Sequence, residues 1–305
     1  MVGIFFAVNL YWNRQAMSEN NSLLRMGLPK GRMEENVLTL LGDAGIRVTP
    51  SARGYRPSIS LADCEVKMLK PQNIVEMLAF GGRDLGFAGA DWVQELNGNT
   101  VELLDTGLNP VEIVAAVPHE RLRKDAWKAG SIRVASEYEN LAKQWISKQN
   151  LDATFVRTYG ATEVFPPEDA EVIIDNSATG ATLRANGLGI VDTLMKSSTR
   201  LYASEKSLDN PSKRSRIEDL VMVLTSVLDA RRRVMVEVNA PKERIDDVVA
   251  ALPCMRQATV APLFGDAGFS VKAAVPRDQL PVIIPAVKNA GGSDIVVSNL
   301  TQIVP

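Results

Sequence analysis

From Leu23 onward, short apolar runs alternate with stretches whose apolar residues recur every three or four positions. That is the pattern of strands and amphipathic helices laid down in α/β layers. LLRMGL (23–28) predicts a strand, and RMEENVLTLLGDAG (32–45) a helix closed by a glycine. NIVEMLAFGG (73–82) reads as a second helix and DLGFAGA (84–90) as a buried strand. VEIVAAVP (111–118) is a long apolar strand expected to cross out of a first lobe. IRVAS (132–136), the helix ENLAKQWISKQN (139–150), TFVRTY (154–159) and EVIID (171–175) continue the alternation in a second lobe. No internal repeat of solenoid length is visible.

A polar stretch from Lys206 to Arg216 breaks this composition, and IEDLVMVLTSVLDARRR (217–233) then predicts a helix. Beyond it, VMVEVNA, PKERIDDVVAALP, TVAPLF, FSVKAAVP, RDQLPVIIPAVKNAGG and DIVVSNLTQIV read in order as β, α, β, β, α, β. That is the split βαβ, ferredoxin-like order. The expected fold is therefore α/β, a two-lobed body followed by a small C-terminal domain.

Composition narrows the function classes. The 305 residues are 46% hydrophobic and 23% charged, as in ordinary globular domains. A net charge of −2 argues against a protein that coats nucleic acid, and no run is long enough to demand a membrane. The two cysteines, Cys64 and Cys254, lack the spacing of a zinc site or a disulfide framework, which suits a reducing cytoplasm. His119 is the single histidine and reads as a loop residue, so catalysis built on a histidine triad has little to use. Residues 1–22 lack the basic start and cleavage site of a signal peptide; they read as a tail of little functional weight, with Met17 a second candidate start.

The sharpest chemical signal is EVIIDNSATGATLRANG (171–187). A strand ends at Asp175, and a turn of small and hydroxylated residues follows: Asn176, Ser177, Ala178, Thr179, Gly180, Ala181 and Thr182. So few side chains let backbone N–H groups approach a phosphate at the start of a helix predicted near Leu183. Asp175 is placed to accept ribose hydroxyls or hold a metal ion. A plain helix cap at Ser177 or Thr179 is the other reading of the same residues. A second cluster, Pro29-Lys30-Gly31-Arg32, puts two cations at a helix N-terminus, against the helix dipole, which suits a polyanionic ligand or a solvated loop. Lys67 and Lys70 precede the next helix in a similar way, and Gly86, Gly89 and Asp91 follow a buried strand, where a planar base and its ribose have room to approach.

LRMGLPKGRMEENVLTLLGDAGI, the Lys-Pro-Gln-Asn segment with GGRDLGFAGADWVQE, IRVASEYENLAKQW, YGATEVF and DNSATGATLRANGL together resemble ATP phosphoribosyltransferase, in the order and spacing of that family. The tail from LPCMRQATVAPL to GGSDIVV is similar to the family's C-terminal regulatory domain. The resemblance implies a periplasmic-binding-protein-like core, with one lobe at 23–115 and 205–228, the other at 116–204, and an ACT-like regulatory domain at 229–305. It implies that Asp175, Ser177, Ala178, Thr179, Gly180, Ala181 and Thr182 hold phosphoribosyl pyrophosphate, with Asp175 catalytic. Lys30, Gly31, Arg32, Lys70 and Asp91 would surround ATP and pyrophosphate. It further implies Mg²⁺, direct ligands unassigned, inhibition by histidine, and dimers or hexamers of identical subunits, with neither nucleic acid nor membrane as partner. The family often has arginine where this chain offers Lys67 or Lys70, and a different stretch where it reads Gly107-Leu-Asn-Pro110. A solute-binding or sensor protein without catalysis is the alternative from another class, since such proteins share the two-lobed architecture.

Overall fold

The computed structural model describes residues 22–51, 54–122, 127–255 and 257–304. The expectations for the N-terminal tail and for Met17 fall outside these residues. The chain divides into two compact units, one running to Glu218 apart from Asp43–Gly45, the other formed from Asp219 onward with that short segment.

In the first unit, β1 (Leu24–Pro29) leads into helix α1 (Glu34–Asp43), which buries Val37, Leu40 and Leu41 and sets Glu34 and Glu35 at its positive end. β2 (Cys64–Leu69) and helix α2 (Pro71–Ala79) follow, then β3 (Leu85–Gly89) and helix α3 (Ala90–Leu96). β4 (Val101–Pro118), β5 (Ile132–Ser136), helix α4 (Glu139–Lys148), β6 (Ala153–Arg157), β7 (Val172–Ser177), the short helix α5 (Ala181–Ala185) and β8 (Leu188–Ala203) complete the sheet and its cover. Eight strands form one mixed sheet in the order β2-β1-β3-β8-β4-β7-β5-β6.

The two lobes are halves of that one sheet, joined by its long antiparallel pair β4 and β8. The early part of β4 pairs with Thr199 to Ala203 of β8 beside the first three strands, whereas Val111 to Pro118 pair with Leu188 to Ser197 beside β7. The register slips where the chain changes lobe, between Ser197 and Thr199. Gly107 (φ 66°) and Asn109 (φ 49°) turn β4 at the same level. Asn109 ties the crossing to the basic loop: its side-chain amide donates to the Arg32 carbonyl at 3.1 Å and accepts from the Thr199 hydroxyl.

Gly86 is explained by packing. A Cβ there would lie 2.6 Å from Cγ2 of Ile74 on α2. The space expected to admit a planar base is thus filled by the helix that covers the sheet. At Gly89 it is filled by the Asp91 carboxylate, which occupies the place that a Cβ would need.

The polar stretch from Lys206 to Arg216 belongs to the first compact unit, which ends at Glu218. Helix α6 (Pro211–Arg231) starts six residues before the predicted helix, and the sequence obscured it because its first turns are polar for structural reasons. Lys213 is buried against Asp84 at 2.7 Å, and Arg216 donates to the carbonyls of Ser22, Ala62 and Asp63. Asp84 also accepts from the Arg25 backbone N–H, at 2.8 Å. Asp84→Ala would leave the Lys213 ammonium buried and uncompensated, at a cost of about 3–5 kcal/mol. The expected result is a clearly lowered urea midpoint; an unmoved midpoint would mean that Lys213 finds water.

The second unit has β9 (Arg233–Ala240), helix α7 (Ile245–Ala250), β10 (Thr259–Pro262), β11 (Phe269–Pro276), helix α8 (Leu280–Asn289) and β12 (Ser293–Asn299). Its antiparallel sheet has the order β10-β11-β9-β12, the ferredoxin-like arrangement. Strict alternation in VMVEVNA becomes a buried face of Val234, Val236 and Val238, packed on Val248, Ile283 and Val287 of the two helices. Among the described residues, no helix is long and apolar enough to cross a membrane.

Candidate active site

The loop between β7 and α5 lines a cavity of about 310 Å³. Asp175, Ser177, Ala178, Thr179, Gly180, Ala181 and Thr182 all face it, with Glu163 and Arg32 on its rim. Gly180 has φ 71° and caps α5 from the left-handed region, so the loop turns back on itself where a side chain would be strained. The Ser177 hydroxyl accepts from the Gly180 N–H at 3.0 Å and pins the turn. The capping reading and the cradle reading are therefore both realised, by different groups. Ser177 holds the loop, while the N–H groups of Ala178 and Thr179 have no protein acceptor among the described residues. α5 is only five residues long, shorter than the amphipathic pattern suggested, because β8 begins just beyond Gly187.

Asp175 stands at the base of the cavity. Its Oδ1 accepts from the Asn176 backbone N–H at 2.7 Å and from the Asn176 side-chain amide at 3.1 Å. Burial pushes its pKa up to about 6, with the neighbouring Glu163 and Glu137 carboxylates adding to the rise; the Asn176 hydrogen bond and Arg32 pull the other way. A carboxylate so placed is ionised at neutral pH yet poorly solvated, and interacts strongly with positive charge developing beside it.

Arg32 is the one member of the expected ATP and pyrophosphate set that lines this cavity. Lys30 sits at the C-terminal end of β1, its ammonium 3.8 Å from the Tyr55 ring centroid, and Gly31 turns the loop with φ 84°. Lys70 occupies the equivalent end of the adjacent parallel strand β2 and precedes α2. The Lys30 N–H donates to the Leu69 carbonyl, so the two lysine-bearing loops lie side by side as a basic rim at the strand ends. Lys67 is separated from that rim: it lies within β2, opposite Gly27.

Asp91 is not open to a ligand. It is 1% exposed, and its carboxylate accepts from Ser197 Oγ at 2.6 Å and from the Tyr138 hydroxyl at 2.8 Å. Tyr138 Oη in turn accepts from the Asn176 amide at 3.4 Å, so a hydrogen-bonded chain runs from Asp91 in one half of the sheet to Asn176 beside Asp175 in the other. The Tyr138 hydroxyl pKa is held well above its ordinary value by burial and by Asp91, which keeps it a donor. Sequence reasoning gave Tyr138 and Glu163 no role, although both lie in segments that carry the family resemblance, IRVASEYENLAKQW and YGATEVF; the fold brings both to the site.

Two family models match the chain: ATP phosphoribosyltransferase over residues 70–226, and the C-terminal domain of the same family, HisG, over residues 230–302. An ATP phosphoribosyltransferase from Chlorobaculum parvum is 32% identical over 293 residues, covering 94% of this chain and all of the relative. One from Pelotomaculum thermopropionicum is 33% identical over 287 residues, covering 92% of this chain and 99% of the relative. Among solved structures, an ATP phosphoribosyl transferase complex from Thermotoga maritima superposes with a TM-score of 0.61 at 24% identity over 68% of this chain and 99% of that one, a likeness of fold.

Proposed function

This chain belongs to the ATP phosphoribosyltransferase family, and from that premise we propose how its own residues join ATP to phosphoribosyl pyrophosphate, the first step of histidine biosynthesis. The observation that carries the assignment of the site is the cavity floored by Asp175 and walled by the Ala178 and Thr179 N–H groups. Its volume of about 310 Å³ suits a sugar phosphate.

In the reaction, N1 of adenine forms a bond to the anomeric carbon as the bond from that carbon to pyrophosphate breaks, and the bonding pair leaves with pyrophosphate. No protein nucleophile is needed, so catalysis rests on alignment and on stabilising separated charge. The loop N–H groups and the Thr179 and Thr182 hydroxyls hold the 5-phosphate. Asp175 accepts from the ribose hydroxyls and opposes the positive charge that grows on the ring. Arg32 meets the departing pyrophosphate, and Lys30 and Lys70 take the ATP phosphates. Asp91 acts through Tyr138 and Asn176, as a positioning residue that fixes the orientation of the Asp175 segment. Absorbance growth of phosphoribosyl-ATP on mixing both substrates with Mg²⁺ tests the assignment directly; folded protein giving no product would overturn it.

The donor set also fits a divalent cation. Asp175 and Glu163 form an excess of negative charge beside Arg32, and Mg²⁺ is commonly held by one or two carboxylates together with substrate phosphates. Mg²⁺ there would neutralise the pyrophosphate as it leaves.

The second unit is assigned histidine binding and assembly. A cavity of about 360 Å³ includes Cys254, Gln257, Thr259 and Lys272, and Lys272 pairs with Glu237 at 2.9 Å. An ammonium beside a carboxylate complements the two charges of a free amino acid. Exposed Val260, Phe264, Val282 and Val296 supply apolar surface for contact between subunits, consistent with dimers and hexamers. We infer a cytoplasmic location, which the phosphorylated substrates of the proposed reaction support. Lys272→Ala in the full chain is expected to weaken histidine binding by about tenfold or more in calorimetry, with the KM values for both substrates unchanged. Undiminished binding would remove this cavity from the regulatory assignment.

A further inference from the structure

Arg83 lies just before β3, and its backbone N–H donates to the Met77 carbonyl at the end of α2. The residue is 7% exposed, yet among the described residues its Nη1 has no hydrogen-bond partner. A buried guanidinium left so is costly, and such a group ordinarily marks a missing partner. The nearest carboxylate by sequence, Asp84, is already committed to Lys213 and to the Arg25 N–H.

The surrounding charges are of the same sign. The register of β1 and β2 sets Arg25 opposite Glu65 and Gly27 opposite Lys67, so Lys67 and Arg25 share the face on which Ile74 covers Gly27. The Lys67 ammonium is pushed below its usual pKa chiefly by Arg83, then by burial and Arg56. Arg83 is itself lowered, first by burial, with Arg25 and Arg56 acting in the same direction. Glu65 is the one carboxylate acting on both Lys67 and Arg83, and a single carboxylate does not balance this many cations.

We propose that Arg25, Lys67 and Arg83 form a second anion site, outside the catalytic cavity, that takes a tetrahedral oxyanion, either free phosphate or the terminal phosphoryl group of a metabolite. Three cations beside Glu65, with Asp84 held by Lys213, call for a multiply charged ligand rather than a monocarboxylate, and guanidinium forks match its geometry. The site is separate from the basic rim: Lys67 precedes Lys70 on β2 by a span of roughly 10 Å, at about 3.3 Å per residue. Arg25 stands near the start of β1, Lys67 in the middle of β2 and Arg83 just before β3, so an anion here braces the strands whose far ends present the substrate rim.

The test uses crystals of the full chain soaked in tungstate, a tetrahedral oxyanion visible by anomalous scattering, alongside calorimetric titration with inorganic phosphate. A tungstate peak within hydrogen-bond distance of the Arg83 guanidinium is expected, in addition to any at the Asp175 to Thr182 loop. Arg83→Gln should abolish that peak and leave the loop peak in place. Lys67→Gln, at a half-buried position that tolerates the change, should weaken the corresponding phosphate site about tenfold. Competition by a hexose 6-phosphate identifies an esterified ligand; its failure to compete identifies the free ion. Tungstate at the loop alone, with phosphate titrations unchanged in both variants, would overturn the proposal.

Discussion

Gly180→Val is expected to lower kcat/KM for phosphoribosyl pyrophosphate by about 10² or more, since an ångström-scale displacement of a positioning group costs this much. Gly180 has φ 71°, a conformation that a β-branched residue resists, and a Cβ there would lie 2.7 Å from the Arg184 Nη1. The arginine end can move aside; the backbone strain cannot be relieved without turning the Ala178 and Thr179 N–H groups away from the phosphate. The turn is exposed, so the fold should survive, with a stability loss of about 1–3 kcal/mol from the strained dihedral. Steady-state kinetics with each substrate varied in turn, beside a melting curve, separates the two effects. A folded variant with unaltered kinetics would take the loop out of the site.

Asp175→Asn is expected to lower kcat by about 10² or more while keeping the hydrogen bond from the Asn176 N–H. The change is one of charge rather than shape. Because the carboxyl pKa is raised to about 6, wild-type kcat/KM should climb with pH through that value as Asp175 ionises, then level off. This limb should vanish in the variant. Stability moves the other way. A carboxyl whose folded pKa lies above its unfolded value of 3.8 favours the protonated fold, so its ionisation removes stability as pH rises from there through about 6. At pH 8 the asparagine variant should therefore melt at or above the parent. A variant that is slow and also much less stable would recast Asp175 as a structural residue.

The phosphate loop was legible because its function demands a sequence anomaly: an apolar strand, an acid, then a run of small and hydroxylated residues with a glycine. The same holds for Lys30 and Arg32, two cations where a helix start disfavours them. Asp91 was misjudged as open to ligand for a related reason. A carboxylate after a buried strand looks available until Ser197 and Tyr138, distant in sequence, are seen to occupy it. Glu163 and Tyr138 lie in segments that carry the family resemblance, but nothing local in them points to the site.

The periodicity of polar and apolar residues determined most of the elements by itself, since a strand buried on one or both faces, or a helix buried on one, must carry that pattern wherever it ends up. IRVAS emerged with its predicted ends, and the alternation in VMVEVNA became the buried and open faces of β9. The βαββαβ order of the second unit was legible for the same reason. What only the tertiary structure decided lies where one strand serves two environments. The first part of β4 was missed because it is partly open on both faces where it crosses between lobes, and β8 was not read as a strand because its buried positions at the crossing are polar, Ser197 and Thr199, bonded to Asp91 and Asn109. The polar start of α6 was likewise hidden, since Lys213 and Arg216 are held by Asp84 and by the carbonyls of Ser22, Ala62 and Asp63 rather than by solvent. Periodicity records how much of a side chain meets the core; it does not record which distant charge or carbonyl has taken the place of water, and that choice is made only when the chain folds.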